Sequence, residues 1–297
     1  MTRHIPVLLQ EIQELLSPKN GEIVIDGTLG VGVHASVMCQ LIGPTGILIG
    51  IDEDVSALEE ARKIINGCDA RIYKGNFRKI DSYLRDEGIT RVNKILLDLG
   101  ISSLQLDSND RGFSFQRSAP LSMTFGNTQD NSYHLQAEEV VNEWSVETLE
   151  TIFRGYGEER FAGRIARAIG EKRAQKKITT TDELVRIIME VTPIWYQRRR
   201  IHPATRTFQA IRIAVNDELE ALKEFLPKAW DALDTGGRIA IITFHSLEDR
   251  IVKNYFRDLK NANKGILINK KPVVPGRSEV QKNPRSRSAK LRVIEKI

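Results

Sequence analysis

The residues best suited to chemistry stand in one short stretch near the start of the chain. An apolar run, Ile23–Ile25, ends in Asp26, and a turn with Gly30 and Gly32 precedes a predicted helix. Glycines in such a turn let a ligand approach bare backbone. A second apolar run ends in Asp52, where a carboxylate can accept hydrogen bonds from both ribose hydroxyls. The pattern predicts a nucleoside-containing cofactor at the carboxyl edge of a parallel sheet.

Asp26 bears on which cofactor this is. A dinucleotide site binds pyrophosphate at the start of the helix, and an acid four residues before Gly30 is unfavourable beside it. The same acid suits a cationic ligand with an amine and a sulfonium, which is S-adenosylmethionine. A tight strand-to-helix turn without any ligand is the alternative.

Length and composition indicate a protein with a large core. With 297 residues, the chain is expected to form one and a half to two domains. Cys39 and Cys68 show no metal-like spacing, and we expect reduced cytosolic thiols. The first apolar stretch is soon interrupted by Gln10 and Glu11, which favours an amphipathic helix over a signal peptide. No apolar run approaches the length of a membrane span, so the expected location is cytoplasmic.

The net charge of +5 is unevenly distributed. Residues 1–153 carry 13 basic and 22 acidic side chains, whereas residues 154–212 carry 14 and 6. Residues 213–259 have a net charge of −3, and residues 260–297 carry 11 basic and 2 acidic side chains. Two basic blocks beside a cofactor motif favour a nucleic-acid partner. Two solvated basic faces are the alternative.

Strands and helices alternate at the start of the chain and again near its end. The predicted strands are 46–52, 71–73 and 94–99, and the predicted helices are 34–42 and 54–66. This βαβ spacing predicts a doubly wound parallel sheet and an α/β fold.

An irregular segment and several helices interrupt the alternation. Residues 107–135 show no clear period, and helices are predicted at 137–153, 158–176 and 181–191. One long helix is predicted to follow, and it carries on one face Phe208, Ile211, Val215, Leu219 and Leu222. Strand 238–244 and helix 246–260, capped by Ser246 with Asp249, then resume the α/β pattern.

Motifs over nearly the whole chain resemble those of the bacterial 16S ribosomal RNA (cytosine-N4) methyltransferases. The matching stretches, in chain order, are His4–Leu9, Asp26–His34, Leu97–Ser103, Gln105–Asp107, Arg111–Gln116, His202–Ala210, Phe244–Arg250 and Asn283–Arg292.

The resemblance implies a class I (Rossmann-like) methyltransferase sheet with an inserted helical domain. The implied domains are 1–110 with 205–297 for S-adenosylmethionine, and 111–204 for RNA recognition. The implied substrate is a cytosine in the decoding region of 16S ribosomal RNA, free or in the small subunit. Neither a membrane nor an obligate protein partner is expected, and a homodimer is left open.

Positions matched to the family give the expected cofactor contacts, to which the glycine turn adds Gly30. They are Gly32, Val33, His34, Asp52, Phe77, Asp98 and Gln105. Phe77 suits adenine stacking or core packing, and Gln105 suits ligand orientation or a bond to loop backbone. His34 is expected to set the loop rather than to transfer protons.

Asp98 ends a predicted strand at the crevice of the sheet, and it is the expected catalytic residue. Its carboxylate could accept hydrogen bonds from the weakly nucleophilic amino group of cytosine. The alternatives are that it caps the next turn or contacts the cofactor amine. The five histidines are scattered without ligand spacing, so no metal site is predicted.

The chain departs from the family pattern at Val31, Val33, Leu104 and Ser122. A valine would be strained wherever the turn needs a positive φ. These departures keep a non-catalytic RNA-binding or assembly factor open as an alternative. A DNA amino-methyltransferase is a further alternative, although that class usually has a Pro-Pro-aromatic run after the strand acid.

Two further groups could contact RNA. Phe113 and Phe115 could stack on an extruded base, or they could pack the insertion against the sheet. Arg160, Arg164 and Arg167 share a predicted helical face, which would be a phosphate-binding stripe or a solvated surface.

Overall fold

A seven-stranded sheet organises the chain in the computed structural model, which describes residues 5–107, 111–126 and 134–297. His4 of the first motif and parts of segment 107–135 lie outside the described residues. The strands are β1 (Ile23–Asp26), β2 (Ile47–Asp52), β3 (Asp69–Lys74), β4 (Val92–Asp98), β5 (Leu233–Thr243), β6 (Gly265–Leu267) and β7 (Lys290–Lys296).

The strand order is β3-β2-β1-β4-β5-β7-β6. Strands β1 to β5 pair in parallel, and β7 runs antiparallel to both β5 and β6. The α/β fold class is confirmed. The chain reverses its direction of travel between β1 and β4, and open α/β sheets bind ligands at the carboxyl ends of such strands.

The helices in chain order are α1 (Leu9–Leu16), α2 (Val33–Ile42), α3 (Val55–Ile64), α4 (Ile80–Asp86), α5 (Ser103–Asp107), α6 (Ala137–Glu143), α7 (Val146–Gly155), α8 (Ala162–Arg173), α9 (Thr181–Val191), α10 (Ile194–Gln197), α11 (Ala204–Asn216), α12 (Glu218–Ala232), α13 (Ser246–Asn261) and α14 (Arg277–Lys282). Short 3-10 turns lie at Phe77–Lys79 and Pro284–Ser288.

The central strands are buried on both faces. Neighbouring residues such as Val24 and Ile25 belong to two different hydrophobic clusters, because successive side chains of a strand point to opposite faces. This explains the unbroken apolar runs that mark the parallel strands in the sequence.

The chain divides into two compact units, Met1–Gly100 with Leu219–Ile297, and Ile101–Glu218. The first holds the sheet. The second is built around a hydrophobic core of its own, with Phe153, Ile165 and Phe208 among its buried members. RNA recognition by residues 111–204 stays a prediction.

The long helix predicted after residue 203 is wrong. Helix α11 ends at Asn216, Asp217 adopts a left-handed φ of 50°, and α12 starts at Glu218. A single left-handed residue ends a helix without disturbing the apolar period around it. The helix predicted at 137–153 is likewise two helices, since Ser145 caps α7 by accepting a hydrogen bond from the Thr148 N–H at 3.1 Å.

The predicted cap of α13 is also corrected. His245, not Ser246, is the N-cap, and the Glu248 carboxylate accepts hydrogen bonds from the Phe244 and His245 N–H groups at 2.8 and 3.2 Å. Asp249 instead pairs with Arg292 at 2.7 Å. Thr180 and Glu183 form a reciprocal capping box at the start of α9.

The expectation of reduced thiols is wrong for this structure, in which Cys39 of α2 and Cys68 form a disulfide. Their Cα atoms lie 5.2 Å apart, a juxtaposition that 29 residues of separation do not reveal. Disulfides are uncommon in cytosolic proteins, so this bond is in tension with the cytoplasmic location expected from composition. Every helix in the described part of the chain is too short or too polar to span a lipid bilayer.

Candidate active site at the carboxyl edge of the sheet

Three acids converge where the central strands end. Asp26, Asp52 and Asp98 are the last residues of β1, β2 and β4. Strand β1 pairs with both β2 and β4, so the parallel register brings all three carboxyl groups to one edge. This is the edge that the sequence predicted for the cofactor.

The glycine turn after β1 is shaped by two left-handed residues. Gly30 has φ 52° and Gly32 has φ 81°, and Gly32 is the N-cap of α2. A Cβ on Gly32 would lie 2.9 Å from the Cβ of Ala61, so a side chain is excluded there by packing as well as by conformation. A Cβ on Gly30 would meet only the Thr28 carbonyl oxygen, at 4.0 Å.

The two valines of the turn fit its backbone. Neither Val31 nor Val33 has a positive φ, and Val33 is the first residue of α2. The strain expected of valine in this loop is therefore absent at these two positions. The left-handed conformations fall on Gly30 and Gly32, the two glycines that the chain retains.

Asp52 holds the glycine turn in place. Its Oδ2 accepts a hydrogen bond from the Gly30 N–H at 2.7 Å, and its Oδ1 accepts one from the Asp54 N–H at 2.9 Å. Burial raises the pKa of Asp52 to about 6, against the opposing effect of these two N–H groups. A carboxylate oxygen can accept a second bond, so both oxygens can still receive ribose hydroxyls.

Asp26 is almost fully buried, with 2% of its surface exposed. Its Oδ1 accepts a hydrogen bond from the Thr28 N–H at 3.2 Å. Burial raises the pKa of Asp26 to about 7, and the nearby Asp98 and Asp52 carboxylates add to the rise while His34 opposes it. A cation bound at this edge would favour the ionised form of Asp26.

Asp98 and His34 face each other across the edge. The His34 Nε2 lies 3.6 Å from the Asp98 Oδ2, and the Asp98 backbone N–H donates to the Thr28 Oγ1 at 2.6 Å. Both ring nitrogens of His34 and the Asp98 Oδ1 are buried without a hydrogen-bond partner among the described residues. Buried polar atoms normally have partners, so these three indicate a site that binds a polar ligand.

The two other expected cofactor residues are engaged with the protein. Phe77 packs edge-on against Phe225, with 5.3 Å between ring centroids, beside the hydrophobic core of the sheet unit. In the helical unit, the Gln105 Oε1 accepts a hydrogen bond from the Ser102 N–H at 3.0 Å. The structure therefore shows core packing for Phe77 and loop stabilisation for Gln105. A cofactor contact by either stays a prediction.

The phenylalanines at 113 and 115 serve packing in the helical unit. Phe113 is 7% exposed and stacks on Phe125, and Phe115 stacks on His202 at 4.8 Å. These partners lie in the helical unit itself, so the contacts show packing within that unit rather than the expected packing against the sheet.

Sequence reasoning missed the contact between His34 and Asp98. It also missed Thr28, whose hydroxyl holds the backbone of Asp98. The available signal was the position of both His34 and Asp98 within matched motifs. Their 64-residue separation concealed the proximity that the parallel pairing of β1 and β4 creates.

Known proteins resemble this chain over its whole length. The model of the MraW methylase family matches residues 1–297. A relative from Persephonella marina, ribosomal RNA small subunit methyltransferase H, is 46% identical over 299 residues that cover 100% of both chains. Proteins of the same name from Halothermothrix orenii and Syntrophotalea carbinolica are 44% and 43% identical, over 100% and 99% of this chain and 99% and 98% of theirs. The chain belongs to the MraW methylase family.

Proposed function

We propose that this protein transfers a methyl group from S-adenosylmethionine to the N4 amino group of a cytosine in the decoding region of 16S ribosomal RNA. The observation that carries the proposal is the acidic carboxyl edge, where Asp98 and His34 present buried polar atoms without partners among the described residues. Full-length similarity to proteins named as ribosomal RNA small subunit methyltransferases supports the substrate.

The residues at the edge fit S-adenosylmethionine. Asp26 and Asp98 would hold the cationic end of this molecule, and Asp52 would hold its ribose hydroxyls. The bound cofactor supplies a methyl group activated by a positively charged sulfur. An acid on each of the three strands favours a cation over a pyrophosphate, which agrees with the interpretation of Asp26 from the sequence.

Asp98 is the proposed catalytic residue. The lone pair of the cytosine amino group is delocalised into the ring, so the nitrogen needs help to become a nucleophile. A hydrogen bond from this amino group to the Asp98 Oδ1 favours the pyramidal nitrogen and stabilises the positive charge that it gains. The same oxygen can then accept the proton that the nitrogen loses.

His34 is proposed to position Asp98. Its imidazole lies 3.6 Å from the Asp98 Oδ2 and is itself 8% exposed, so it restricts the orientations that the carboxyl group can take. The hydrogen bond from the Asp98 N–H to Thr28 fixes the backbone of the same residue. The two contacts hold the acceptor oxygen toward the edge, where alignment contributes most of the acceleration.

RNA recognition is proposed for the helical unit, whose sequence between residues 154 and 212 carries a net charge of +8. The substrate is taken to be the small ribosomal subunit or its free RNA, and the reaction is placed in the cytoplasm. No obligate protein partner is proposed, and whether the chain forms a homodimer can be measured by light scattering.

Labelled methyl transfer tests the proposal. Purified protein is incubated with methyl-labelled S-adenosylmethionine and with small subunits, free 16S ribosomal RNA or DNA, and the modified base is mapped by mass spectrometry. N4-methylcytosine at one position of the RNA is expected. Label in DNA alone would reject the substrate, and calorimetry showing no binding of S-adenosylmethionine at millimolar concentration would reject the activity.

A further inference from the structure

Arginine and aromatic side chains form a cluster on the helical unit, and none of its members is assigned to the reaction. We name it the arginine–aromatic surface, and its members are Arg160, Phe161, Arg164, Trp195, Tyr196 and Arg199. Trp195 and Tyr196 belong to the short helix α10, and Arg160 and Phe161 directly precede α8. All six residues lie within one compact unit.

Trp195 lies at the centre of this surface. The guanidinium carbons of Arg160 and Arg199 lie 5.1 and 5.2 Å from the centroid of the Trp195 ring. Phe161 approaches the same ring edge-on at 5.9 Å, and the guanidinium of Arg164 lies 5.8 Å from the Phe161 ring. Guanidinium groups at these distances are attracted by the faces of aromatic rings.

The surface is exposed and positively charged. Trp195 is 50% exposed, and its neighbour Ile194 is 67% exposed. In the described part of the chain, no carboxylate pairs with the guanidinium groups of Arg160, Arg164 or Arg199. A half-exposed ring beside guanidinium groups that lack an acidic partner can receive a ligand that carries both a flat apolar group and negative charge.

Other arginines of the helical unit behave differently. Arg154 pairs with Glu150 at 2.6 Å, and Arg186 pairs with Asp182 at 2.6 Å. Arg154 and Arg186 are exposed, as Arg160 is, so exposure alone does not explain why Arg160 lacks an acidic partner.

Buried contacts hold the surface rigidly. Tyr196 is 5% exposed, and its hydroxyl donates to the Glu159 Oε2 at 2.6 Å. Burial and the Glu159 carboxylate raise the pKa of Tyr196 to about 12, so this bond persists at neutral pH. The Glu159 Oε1 accepts from the Phe161 N–H at 2.8 Å, which ties the start of α8 to α10.

We infer that the arginine–aromatic surface binds an unpaired nucleotide of the RNA substrate, with the base stacked on Trp195 and the flanking phosphates paired with Arg160 and Arg199. The inference rests on the proposed function and specifies how the helical unit engages RNA. Single-stranded RNA is recognised by stacking on aromatic rings and guanidinium planes, and every base offers such a face. An A-form duplex keeps its bases stacked inside and would meet the arginines only through phosphates.

Charge complementarity favours this partner. The surface lies within residues 154–212, which contain 14 basic and 6 acidic side chains. An acidic protein could also bind these arginines. Direct measurement of RNA affinity distinguishes the two partners. Stacking tolerates any base, so this contact is expected to supply affinity and register rather than the choice of cytosine.

Substitutions of Trp195 test the inference in the full-length protein. Trp195→Leu removes the stacking face, and Trp195→Phe keeps a smaller one. We expect Trp195→Leu to weaken the Kd for free 16S ribosomal RNA about 5- to 100-fold, while Trp195→Phe stays within about 3-fold. The KM for RNA should rise in parallel, whereas kcat and S-adenosylmethionine affinity should not change.

Arginine variants provide the second arm and the matched control. Arg160→Gln and Arg199→Gln should each weaken RNA binding by roughly 3- to 10-fold at moderate salt. Arg154→Gln makes the same change of charge on an exposed side chain of the same unit, outside the surface, and should change the Kd by less than about 2-fold. If Trp195→Leu lowers the midpoint of thermal unfolding, the exposed double variant Arg160→Gln with Arg199→Gln decides the question.

The inference and the proposed function fail in different ways. Wild-type protein that binds RNA but leaves every RNA and subunit unmethylated would reject the proposed function without affecting the binding comparison. Wild-type affinity for RNA in both Trp195→Leu and the double arginine variant would reject the surface. Equal competition by duplex and single-stranded RNA of the same length would also reject it, since phosphate contacts alone would then suffice.

Discussion

The carboxyl edge of the sheet and the arginine–aromatic surface differ in the sign of their charge and in their exposure to water. At the edge, Asp26 is 2% exposed, and burial raises its pKa to about 7, with a smaller contribution from the Asp98 and Asp52 carboxylates. At the surface, Arg160 and Arg199 stay in water and lie against the half-exposed ring of Trp195. Burial disfavours the charged form of Asp26 at the edge, whereas exposure keeps the charges of Arg160 and Arg199 solvated at the surface.

The carboxyl edge and the arginine–aromatic surface would gain binding free energy from different sources. Burying an acid costs free energy, and a bound cation would reduce that cost, so the proposed cofactor site would gain affinity from acids that are unfavourable on their own. Exposed arginines cost little in the free protein and act on a polyanion through salt-dependent attraction. Changes at the edge should therefore alter both stability and chemistry, whereas changes at the surface should alter RNA affinity alone.

Asp98→Ala gives the sharpest test of this contrast. Loss of the acceptor oxygen at the carboxyl edge should lower kcat for methyl transfer by about 10²- to 10⁴-fold. RNA affinity should stay within about 2-fold, since Asp98 lies outside the arginine–aromatic surface. Single-turnover kinetics with labelled S-adenosylmethionine, together with RNA binding, measures both quantities.

A control variant separates chemistry from positioning at Asp98. His34→Gln keeps a polar side chain beside Asp98 but removes the imidazole that lies 3.6 Å from its Oδ2. It should lower kcat by about 10-fold or more. Near-normal turnover in Asp98→Ala would show that the residue only supports the turn.

Asp26→Asn should stabilise the protein and weaken cofactor binding at the same time. The pKa of Asp26 is about 7 in the folded protein and close to 4 in an unfolded chain. The folded state therefore binds an extra proton between these pH values, and the free energy of unfolding falls as the pH rises from 4 to 7. Asparagine removes this loss, which amounts to about 2–4 kcal/mol at pH 8.

The affinity for the cofactor should depend on pH in the opposite direction to the free energy of unfolding. A cation favours ionised Asp26, so wild-type affinity for S-adenosylmethionine should rise as the pH increases from 6 to 8. Asp26→Asn should flatten most of this rise, and Asp52, with a pKa of about 6, should leave a smaller dependence. Calorimetry across this range checks the slope, with the exposed Asp258→Asn as control. A stability loss at pH 8 in Asp26→Asn would contradict the account.

The two glycines of the turn after β1 can be compared with each other, because they differ in how much room surrounds them. Gly30→Ala and Gly32→Ala both place a side chain at a positive φ, which costs about 1 kcal/mol each. Only Gly32→Ala also drives a Cβ to within 2.9 Å of Ala61. We expect it to lower the free energy of unfolding by at least about 1 kcal/mol more than Gly30→Ala. Equal losses of unfolding free energy, measured by chemical denaturation, would mean that α3 shifts at little cost to accommodate the new Cβ atom.

Much of the sheet could be predicted from the sequence, because a strand buried on both faces leaves an apolar run and a turn leaves glycines. Strands β1, β2 and β4 and the edge acids Asp26 and Asp52 follow from that logic. The break between α11 and α12 could not, since Asp217 is one left-handed residue in a continuous apolar period. The disulfide between Cys39 and Cys68 depends on tertiary proximity alone.

The candidate sites likewise contain some features that the sequence could predict and others that depend on tertiary structure. Asp98 could be found because it ends a strand, but the proximity of His34 needed the parallel pairing of β1 and β4. The arginine stripe was predicted with Arg160 inside a helix, whereas α8 begins at Ala162 and leaves Arg160 beside Trp195. Helical period alone does not show which neighbour a side chain meets when it lies just outside the helix.

Salt dependence gives the finest distinction between the two modes of contact proposed for RNA. Arg167 is an exposed residue of α8, in the stripe predicted from the sequence, and a phosphate contact there would add about 0.7 to the slope of log Kd against log salt. Arg167→Gln should flatten the slope by that amount if it binds a phosphate. Trp195→Leu should weaken binding at every salt concentration and keep the slope, because stacking releases no counterion. Titrations between 50 and 200 mM salt, a range of roughly fourfold, resolve the two behaviours. A changed slope in Trp195→Leu would mean that the ring acts mainly by orienting Arg160 and Arg199, and the surface would then be a phosphate clamp without a stacked base.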